Sequence, residues 1–561
     1  MQKPVIYQVF TRLFGNSTDV NQHDADRATN GCGTMAAFTP KALGEIRKLG
    51  ATHIWYTGII EHATQTDYSA YGITRDHGAI VKGKAGSAYA IKDYYDVDPD
   101  LATDVPSRMQ EFEALVDRTH KAGLKVIIDF VPNHVARQYH SDACPEGVED
   151  LGASDDTTMH FSPRNNFYYF PGETFTADFD LQAGEPEPYV ERPARATGND
   201  VFSSHARKDD WYETVKLNYG VDYTGGRSSH FDPVPSTWEK MLGILHFWAD
   251  KGIDGFRCDM AEMVPSEFWG WAIPKVKESH PGLIFIAEIY GPDAYRRYIH
   301  EGGFDYLYDK VGLYDTLRAV VCGNADASAI TRCWQAVDDI RPNMLSFLEN
   351  HDEQRIASDF FAGDGERGRA PMLVAATFST GPVMLYFGQE LGERGMDDEG
   401  FSGRDGRTTI FDYWTVETIK RWCNGGRFGG KQLTAQELEL QSFYSKLLNL
   451  CSSEAAIREG DFFDLMYVNP KSDRFDPHSH YAYLRRSGKE VLLCVANFID
   501  KESELDINIP EAVFELYNLK SKSDAKATDL LSGTTSKIAF TPSQPAHVSV
   551  PALGGVVLKI K

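Results

Sequence analysis

The chain has 561 residues, of which 42% are hydrophobic and 25% are charged, and its formal net charge at pH 7 is −24. This composition is typical of a globular protein that is long enough for several domains. The strong negative charge argues against a nucleic-acid partner, because phosphates would be repelled, and no apolar run approaches the ~20 residues that a membrane-spanning helix needs.

The N-terminal segment and the cysteines indicate the cellular compartment. The first apolar run, PVIYQVF (Pro4–Phe10), starts almost at the first residue, so we expect no signal peptide and a cytoplasmic location. A trimmed leader, and hence a periplasmic or secreted protein, is the alternative. The eight cysteines form no CxxC pair, and several lie within apolar patterns, so we interpret them as reduced, buried thiols. The sequence leaves the oligomeric state open.

A helix, a glycine and an apolar strand recur in this order up to about residue 390. Each helix begins at a residue that can cap its first turn, and the glycine ends it. The three clearest copies run from Thr39 to Gly50, from Ser107 to Gly123 and from Ser236 to Gly252, and Gln110 and Glu239 complete a capping box in the second and third copies.

The apolar strands of this pattern predict the fold. Strands that alternate with helices form a parallel sheet covered by helices. Eight such strands, with no glycine-rich loop after an early one, favour a (β/α)₈ TIM barrel over an open doubly wound sheet. The candidate strands lie near residues 5–10, 53–58, 124–129, 254–259, 283–288, 304–309, 344–349 and 382–387.

The spacing of the strands indicates the domains. The third and fourth strands are about 130 residues apart, far more than one crossover helix needs, so we predict a subdomain inserted after the third strand. After about Glu459, alternating strands such as EVLLCVANFI predict a C-terminal all-β sandwich domain. The predicted segments are 1–134 and 213–458 for the barrel, 135–212 for the inserted subdomain and 459–561 for the sandwich domain.

Four predicted barrel strands run into a carboxylate. Because the active site of a barrel lies at the carboxyl ends of its strands, these side chains are expected to converge there. Two carboxylates that flank a glycosidic bond are the minimum for glycoside hydrolysis. The four segments are DFVPNH (Asp129–His134), GFRCDMAEM (Gly255–Met263), FIAEIY (Phe285–Tyr290) and FLENHDE (Phe347–Glu353), and their candidate catalytic residues are Asp259, Glu288 and Asp352.

The residues near these carboxylates suggest which of them is the nucleophile and which is the acid. Arg257 precedes Asp259 by two residues, so both side chains point to the same side of the strand. A guanidinium there would keep Asp259 ionised, as a nucleophile must be. Glu288, which follows the apolar run FIA, is the better candidate for the acid. His134 and His351 would donate hydrogen bonds to sugar hydroxyls.

The four segments resemble the conserved regions of the α-amylase family of glycoside hydrolases (family 13). DFVPNH, GFRCD, IAE and ENHD match, in order, its first region and its nucleophile, acid and stabiliser regions. VKLNY (Val215–Tyr219) is similar to the motif at the end of the family's inserted domain, and its KLN resembles neopullulanase and cyclomaltodextrinase relatives. YAIKDYYDVDP (Tyr89–Pro99) resembles the stretch whose tyrosine stacks on the sugar.

The resemblance implies a retaining hydrolase of α-1,4-glucosidic bonds in starch-type glucans or maltooligosaccharides, acting through a covalent glycosyl–enzyme. It implies Asp259 as nucleophile, Glu288 as general acid and base, and Asp352 as the residue that binds the 2- and 3-hydroxyls. The two main carboxyls are then expected ~5 Å apart. The implied sugar contacts are Arg257, His134 and His351 around the cleavage point and Tyr89 beneath it.

Two positions depart from the family pattern and concern a cofactor. Where the family's nucleophile region often continues with Lys-His, this chain has Glu262 and Met263, which leaves the leaving-group subsite undefined. Asn133 matches the family's calcium-binding asparagine, and Met263 retains the backbone carbonyl that the histidine would lend. A structural calcium ion at Asn133 and its absence therefore both remain open, and no organic cofactor is implied.

Alternatives to hydrolysis also remain open. A transglycosylase or an exo-acting α-glucosidase would use the same scaffold and carboxylates, whereas a non-catalytic relative would have lost the carboxylates. Three aromatic residues, Trp211, Tyr212 and Tyr219, are either sugar platforms or cover for the barrel, and the sequence favours cover. The segment DVNQHDAD (Asp19–Asp26) is interpreted as a loop, because it lacks the glycine that a calcium loop needs at its turn.

Overall fold

The computed structural model describes residues 3–398 and 400–561. Eight parallel strands, here β1 to β8 in chain order, form one sheet in the order β7-β6-β5-β4-β3-β2-β1-β8. Met384 N donates to Ser346 O at 2.9 Å, which links β8 to the end of β7 and closes the sheet. The predicted (β/α)₈ TIM barrel is thus confirmed. The strands are Val5–Phe10, His53–Thr57, Lys125–Phe130, Gly255–Cys258, Ile284–Ala287, Tyr306–Tyr308, Met344–Leu345 and Val383–Tyr386.

The inside of the barrel is packed with apolar side chains. Successive residues of a strand point to opposite faces, so every second residue fills the barrel and the others contact the surrounding helices. Because the interior is filled by side chains, it has no room for a ligand, and a site is expected at the carboxyl ends of the strands. The buried cluster within the barrel consists of Ile6, Trp55, Ile127, Ile286, Tyr308, Tyr314, Leu345, Phe347 and Met384.

Helices cover the outside of the barrel. The glycines predicted to end three of them adopt positive φ angles of 106° at Gly50, 75° at Gly123 and 84° at Gly252, where a side chain would be strained. No helix of the described residues is both long and apolar enough to cross a membrane. The longer helices are Pro40–Lys48, Arg108–Lys121, Ser236–Ala249, Ser266–Ser279, Tyr295–His300, Asp315–Val321, Ile330–Ala336, Arg369–Thr377, Glu417–Cys423 and Ala435–Ser453.

Only one of the three predicted helix caps is confirmed. The Thr39 side chain accepts a hydrogen bond from Ala42 N at 3.2 Å. Ser107 makes no capping bond, because the turn Val105–Ser107 leads directly into the helix and gives Ser107 a ψ of 11° instead of an extended conformation. Ser236 lies inside the first turn after Pro235, and its hydroxyl accepts from Asn166 Nδ2 at 3.0 Å. The predictions of a capping box at Ser107 and at Ser236 were therefore wrong.

The chain between β3 and the helix Ser236–Ala249 lies over the rim of the barrel. Its described residues contain short strand pairs and no α-helix. The first strand, His134–Ala136, pairs antiparallel with Thr214–Lys216. The chain therefore enters and leaves this long segment through two adjacent strands. The predicted boundaries of the inserted subdomain, 135 and 212, remain predictions. The remaining strands of this region are Tyr169–Phe170, Thr176–Ala177, Ala194–Arg195, His205–Ala206, Val221–Asp222 and Ser228–Ser229.

The C-terminal region forms antiparallel sheets. Six strands make one sheet, and Ser503–Ile507 pairs with Ala546–Val550 in a second. The α-helix Glu511–Tyr517 and the short 3₁₀ helix Met466–Val468 depart from the predicted all-β pattern. The larger sheet lies against the barrel helix Arg369–Thr377, where Thr377 Oγ1 is 2.5 Å from Tyr483 Oη. The six strands are Asp461–Asp464, His480–Ser487, Glu490–Asn497, Lys522–Asp529, Thr535–Phe540 and Gly555–Ile560.

Candidate active site

A cavity of about 990 Å³ opens at the carboxyl ends of the barrel strands. Its walls come from the loops after the strands and from the segment that lies over the rim. It brings together six of the seven residues proposed from the sequence as catalytic or substrate-binding. These six are Tyr89, His134, Asp259, Glu288, His351 and Asp352, and the side chains around them include His23, Asp24, Trp211, Tyr212, Tyr290 and Phe401.

The seventh residue, Arg257, lies behind the carboxylates and does not line the cavity. Its side chain is fully buried in β4, between β3 and β5. One terminal nitrogen is 2.7 Å from Asp259 Oδ1, and the other is 2.8 Å from Glu288 Oε2. Asp129 Oδ1, at the end of β3, is 3.4 Å from the first nitrogen. Arg257 thus holds the two main carboxylates together, and the contact with the sugar that the resemblance implied for it stays a prediction.

Asp129, Asp259 and Glu288 share this single guanidinium, and the charge of Glu288 links the protonation of Asp352 to theirs. Burial raises the pKa of Asp259 well above its usual range, Arg257 opposes this shift, and Glu288 adds to it. Burial and the charge of Glu288 likewise raise the pKa of Asp352 to about 7. The expectation that Arg257 keeps Asp259 ionised took into account the charge of Arg257 but neither the burial of Asp259 nor the charge of Glu288. Both Asp259 and Asp352 therefore hold a proton more tightly than an isolated carboxyl does, and the charge of Glu288 contributes to both shifts.

Backbone and side-chain donors fix the orientation of Glu288. Met260 N donates to Glu288 Oε2 at 2.8 Å, and Met260 holds a left-handed conformation with φ 42° to do so. Tyr290 Oη donates to Glu288 Oε1 at 2.6 Å. The sequence interpretation missed Tyr290, although its position two residues after Glu288 was a usable signal, because such residues share one side of an extended chain.

Glu262, at a position where the family often has lysine, points away from the cavity. Its Oε2 accepts hydrogen bonds from Tyr290 N and from Gly291 N, both at 3.0 Å. These contacts hold the segment that follows Glu288. The cavity beside Glu288 is thus lined by Tyr290 and Met260 and not by a charged side chain from position 262.

The two predicted histidines are neutral and lie at the cavity wall. Burial lowers the pKa of His351 well below its ordinary value, and burial together with the charge of Lys216 lowers the pKa of His134 to about 3. Gln8 Nε2, from β1, lies 2.8 Å from His351 Nδ1. With the amide as donor, the His351 proton is on Nε2, beside Asp352 Oδ2 at 3.1 Å. The Tyr89 ring stacks on His351 with centroids 4.9 Å apart.

Two aromatic residues interpreted as barrel cover also line the cavity. Trp211 and Tyr212 belong to the wall, and the Trp211 ring lies 5.2 Å from the His134 ring. The strand Thr214–Lys216 returns along the rim and places these two residues over the cavity, which favours the alternative of sugar platforms for them. Tyr219 is buried and donates to Pro132 O at 2.7 Å, as expected of cover for the barrel.

The residues around Asn133 do not fit a calcium ion. The buried ammonium of Lys216 donates to Asn133 Oδ1, and it lies 2.7 Å from Asp200 Oδ1 and 3.3 Å from Met263 O. An amide, a carboxylate and a carbonyl oxygen are donors that calcium prefers. Here they already surround a positive charge, which would repel a second cation, so no catalytic step is assigned to calcium.

The raised pKa of Asp352 predicts a stability effect. We expect Asp352→Asn to raise the Tm, and the gain to grow between pH 4 and pH 7. The unfolded carboxyl loses its proton near pH 3.9, roughly its reference pKa, whereas the folded one retains it until about pH 7. Over that interval the carboxyl ionises only in the unfolded chain, which stabilises the unfolded state increasingly as the pH rises, and asparagine removes this effect.

The measurement is the Tm of both proteins by calorimetry at pH 4.5, 6 and 8. Asp339→Asn is the matched control, because the Asp339 carboxylate is exposed and lies beside Arg296, which holds its pKa below the usual range. The control is not expected to gain stability with rising pH. A gain for Asp352→Asn that is the same at all three pH values would contradict the linkage.

Known proteins resemble this chain in sequence. The family described as "Alpha amylase, catalytic domain" matches residues 8–424. The α-amylase MalA of Haloarcula japonica is 27% identical over 403 residues, which cover 70% of this chain and 45% of that protein. The chain spans about half the length of the first curated relatives that it matches.

Solved structures resemble it in fold. The noncanonic maltogenic α-amylase AmyB from Thermotoga neapolitana superposes with a TM-score of 0.62 at 19% identity, covering 99% of this chain and 98% of that one. AmyP in complex with maltose gives a TM-score of 0.63 at 19% identity, with coverage of 99% and 96%. At these identities the structures show a shared fold. Because the family match extends over well more than half of its residues, the chain belongs to the α-amylase family, whose catalytic domain it contains.

Proposed function

We propose that this chain hydrolyses α-1,4-glucosidic bonds in starch-type glucans or maltooligosaccharides, with retention of configuration, through a covalent glycosyl–enzyme. The observation that supports this most is that Asp259 and Glu288 contact the two terminal nitrogens of one buried guanidinium at the floor of the cavity. Carboxyls held this close together fit a retaining mechanism, in which no water stands between nucleophile and anomeric carbon. The cavity volume is in the range of sites that enclose small ligands.

In the first step Asp259 attacks the anomeric carbon while Glu288 transfers its proton to the glycosidic oxygen. The bond to the leaving sugar breaks, and an ester to Asp259 forms. In the second step Glu288, now ionised, takes a proton from water as the water oxygen attacks the same carbon, and the ester to Asp259 breaks. The hydrogen bonds from Met260 N and Tyr290 Oη keep Glu288 oriented for both transfers.

The wall of the cavity supplies contacts for the sugar. His134 and His351 are neutral and therefore bind hydroxyls by hydrogen bonds and not as cations. Asp352 accepts from hydroxyl groups beside His351. Tyr89 and Trp211 offer ring faces, on which a sugar ring packs through its C–H groups.

Transfer to a sugar acceptor is a second candidate function. The observation that favours it is the position of Tyr290, which contacts Glu288 and therefore lies where the leaving group departs and the acceptor arrives. An aromatic ring there holds a sugar acceptor and reduces the space for water. The exo-acting α-glucosidase remains an alternative, and product analysis separates all three.

We expect the products of maltoheptaose cleavage to appear first as α-anomers. Retention follows from two displacements at the anomeric carbon, first by Asp259 and then by water. Proton NMR during the first minutes of digestion records the anomer before mutarotation, and chromatography records product length. Asp259→Asn, which lacks the proposed nucleophile, is the negative control.

Each outcome of this experiment has a distinct meaning. An initial β-anomer would contradict the role of Asp259 as nucleophile. Mixed shorter oligosaccharides indicate hydrolysis within the chain, glucose alone indicates an exo-acting enzyme, and products longer than maltoheptaose indicate transfer. The same profile on pullulan, cyclodextrin and sucrose defines the substrate range.

A further inference from the structure

We propose that Glu61, Asp93 and Asp96 form a binding site for a hard divalent cation, for which Ca²⁺ is the probe. The three residues belong to the strand pair Ile60–His62 and Ile91–Val97, outside the cavity. One carboxylate oxygen of each lies within 4.8 Å of the others. Their exposed fractions are 1%, 0% and 3%, so water screens none of them. Oxygens this close to one another can be ligands of a single ion.

The register of the two strands brings these carboxylates together. Glu61 pairs directly with Asp93 across the antiparallel pair, and the register is irregular on both sides of Glu61. Like charges directly opposite each other in an antiparallel pair destabilise it. The pairing therefore needs a compensating positive charge or a proton.

The hydrogen bonds of the cluster are unevenly distributed. Asp93 accepts from Tyr95 N, Ser141 Oγ and Ala143 N at 2.8, 2.6 and 2.9 Å. Glu61 Oε2, by contrast, is buried and has no hydrogen-bond partner among the described residues. A buried acceptor without a partner costs about 1–3 kcal/mol, and more when it is charged. The carboxylates of Asp93 and Asp96, which offer oxygens within 4.8 Å of Glu61, cannot donate to it while they are ionised.

The charges of the region leave the cluster negative. Asp96 is paired with Arg108, whose Nε lies 2.9 Å from Asp96 Oδ1. The nearby Lys92 already forms an ion pair with Asp76, whose Oδ2 lies 3.1 Å from Lys92 Nζ. Within the described part of the chain, neither Glu61 nor Asp93 has an ion-pair partner. Two buried negative charges thus remain, and one divalent cation neutralises both, whereas one proton on Glu61 neutralises only one.

The donor set determines the kind of ion. Three carboxylate oxygens without nitrogen or sulfur suit Ca²⁺, Mg²⁺ or Mn²⁺ better than Zn²⁺. The site is separate from Asn133, where Lys216 supplies the positive charge. An ion here would tie together the two strands that flank the loop carrying Ser87 and Tyr89 to the cavity wall.

The experiment uses the full chain after treatment with a chelator and dialysis. We expect isothermal titration with CaCl₂ to show one bound ion and the Tm to rise with its concentration. Glu61→Gln is expected to bind Ca²⁺ at least about tenfold more weakly and to lose the Tm rise, because one ligand charge is removed. Asp93→Asn provides a second variant in case the first folds poorly. Asp117→Asn, an exposed carboxylate on the helix Arg108–Lys121, is the matched control and is expected to bind as the wild type does.

Three results would overturn the proposal. If the wild type binds no Ca²⁺, Mg²⁺ or Mn²⁺ and Glu61→Gln is equally or more stable, a proton on Glu61 neutralises the cluster. If Asp200→Asn abolishes binding and Glu61→Gln does not, the ion lies at Asn133. If none of these variants weakens binding, the ion lies elsewhere. None of these readouts uses glucan cleavage, so the outcome does not depend on the proposed function.

Discussion

Replacing Glu288 by glutamine is expected to lower kcat on a maltooligosaccharide by about 10²- to 10⁴-fold, the usual contribution of a general acid and base. Glutamine has the same shape, and its carbonyl oxygen accepts from Tyr290 Oη or Met260 N as the carboxylate does. It carries no proton for the glycosidic oxygen and takes none from water. Steady-state kinetics measures the loss, and circular dichroism with the Tm shows that the fold persists.

A substrate that needs no protonation separates the role of Glu288 from a structural effect. With α-maltosyl fluoride the leaving group departs without an acid, so formation of the glycosyl–enzyme is expected to recover in Glu288→Gln. Asp293→Asn, an exposed carboxylate five residues further along the chain, is the matched control and is expected to retain normal turnover. Near-normal turnover of a natural glucan by Glu288→Gln would remove Glu288 from the acid role.

The barrel was predictable because its signals are local. Most strands are apolar runs that follow a glycine, and the strands found lie close to the predicted positions, except that β7 ends early at Leu345. The candidate carboxylates were found for a related reason: a charged residue directly after an apolar strand lies at one end of the barrel, where the active site is expected. The local pattern therefore defines the floor of the cavity.

The walls of the cavity depend on contacts between distant segments, and no local pattern encodes them. Trp211 and Tyr212 became wall residues because the long excursion returns along the rim. His23 and Asp24 reach the cavity from DVNQHDAD, which had suggested only a loop. The failed caps have the same origin, since the preceding turn at Ser107 and the contact from Asn166 to Ser236 override a signal that is correct in isolation.

The ammonium of Lys216 is the clearest case of a long-range contact that changes a functional interpretation. Asn133 matched a calcium-binding residue, yet its oxygen accepts from a lysine 83 residues further along the chain. Lysine at position 216 was noticed only as a resemblance to certain relatives. Its consequence for calcium depends on the distances from its Nζ to Asp200 Oδ1 and Met263 O, which the sequence does not contain.

Lys216→Ala is accordingly expected to make the stability of the protein dependent on calcium. Removing the buried ammonium leaves the oxygens of Asn133, Asp200 and Met263 without their shared cation, at a cost of about 1–3 kcal/mol. Alanine also leaves space among three donors that suit Ca²⁺. We expect the Tm to fall in a chelator and to recover in CaCl₂. The background for all measurements is Glu61→Gln, so that the cation site proposed at Glu61 does not contribute.

Lys216→Met is the matched control for this prediction. Methionine removes the charge but fills much of the space, so it is expected to lower the Tm as alanine does and to show no recovery in CaCl₂. Adding Asp200→Asn to Lys216→Ala removes the ligand charge and is expected to abolish the recovery. The parent protein with Lys216 intact is expected to be unaffected by the chelator. A parent that loses activity in the chelator and regains it with CaCl₂ would show that calcium binds at Asn133 despite the ammonium, because electrostatic repulsion between the two cations is the reason for expecting otherwise.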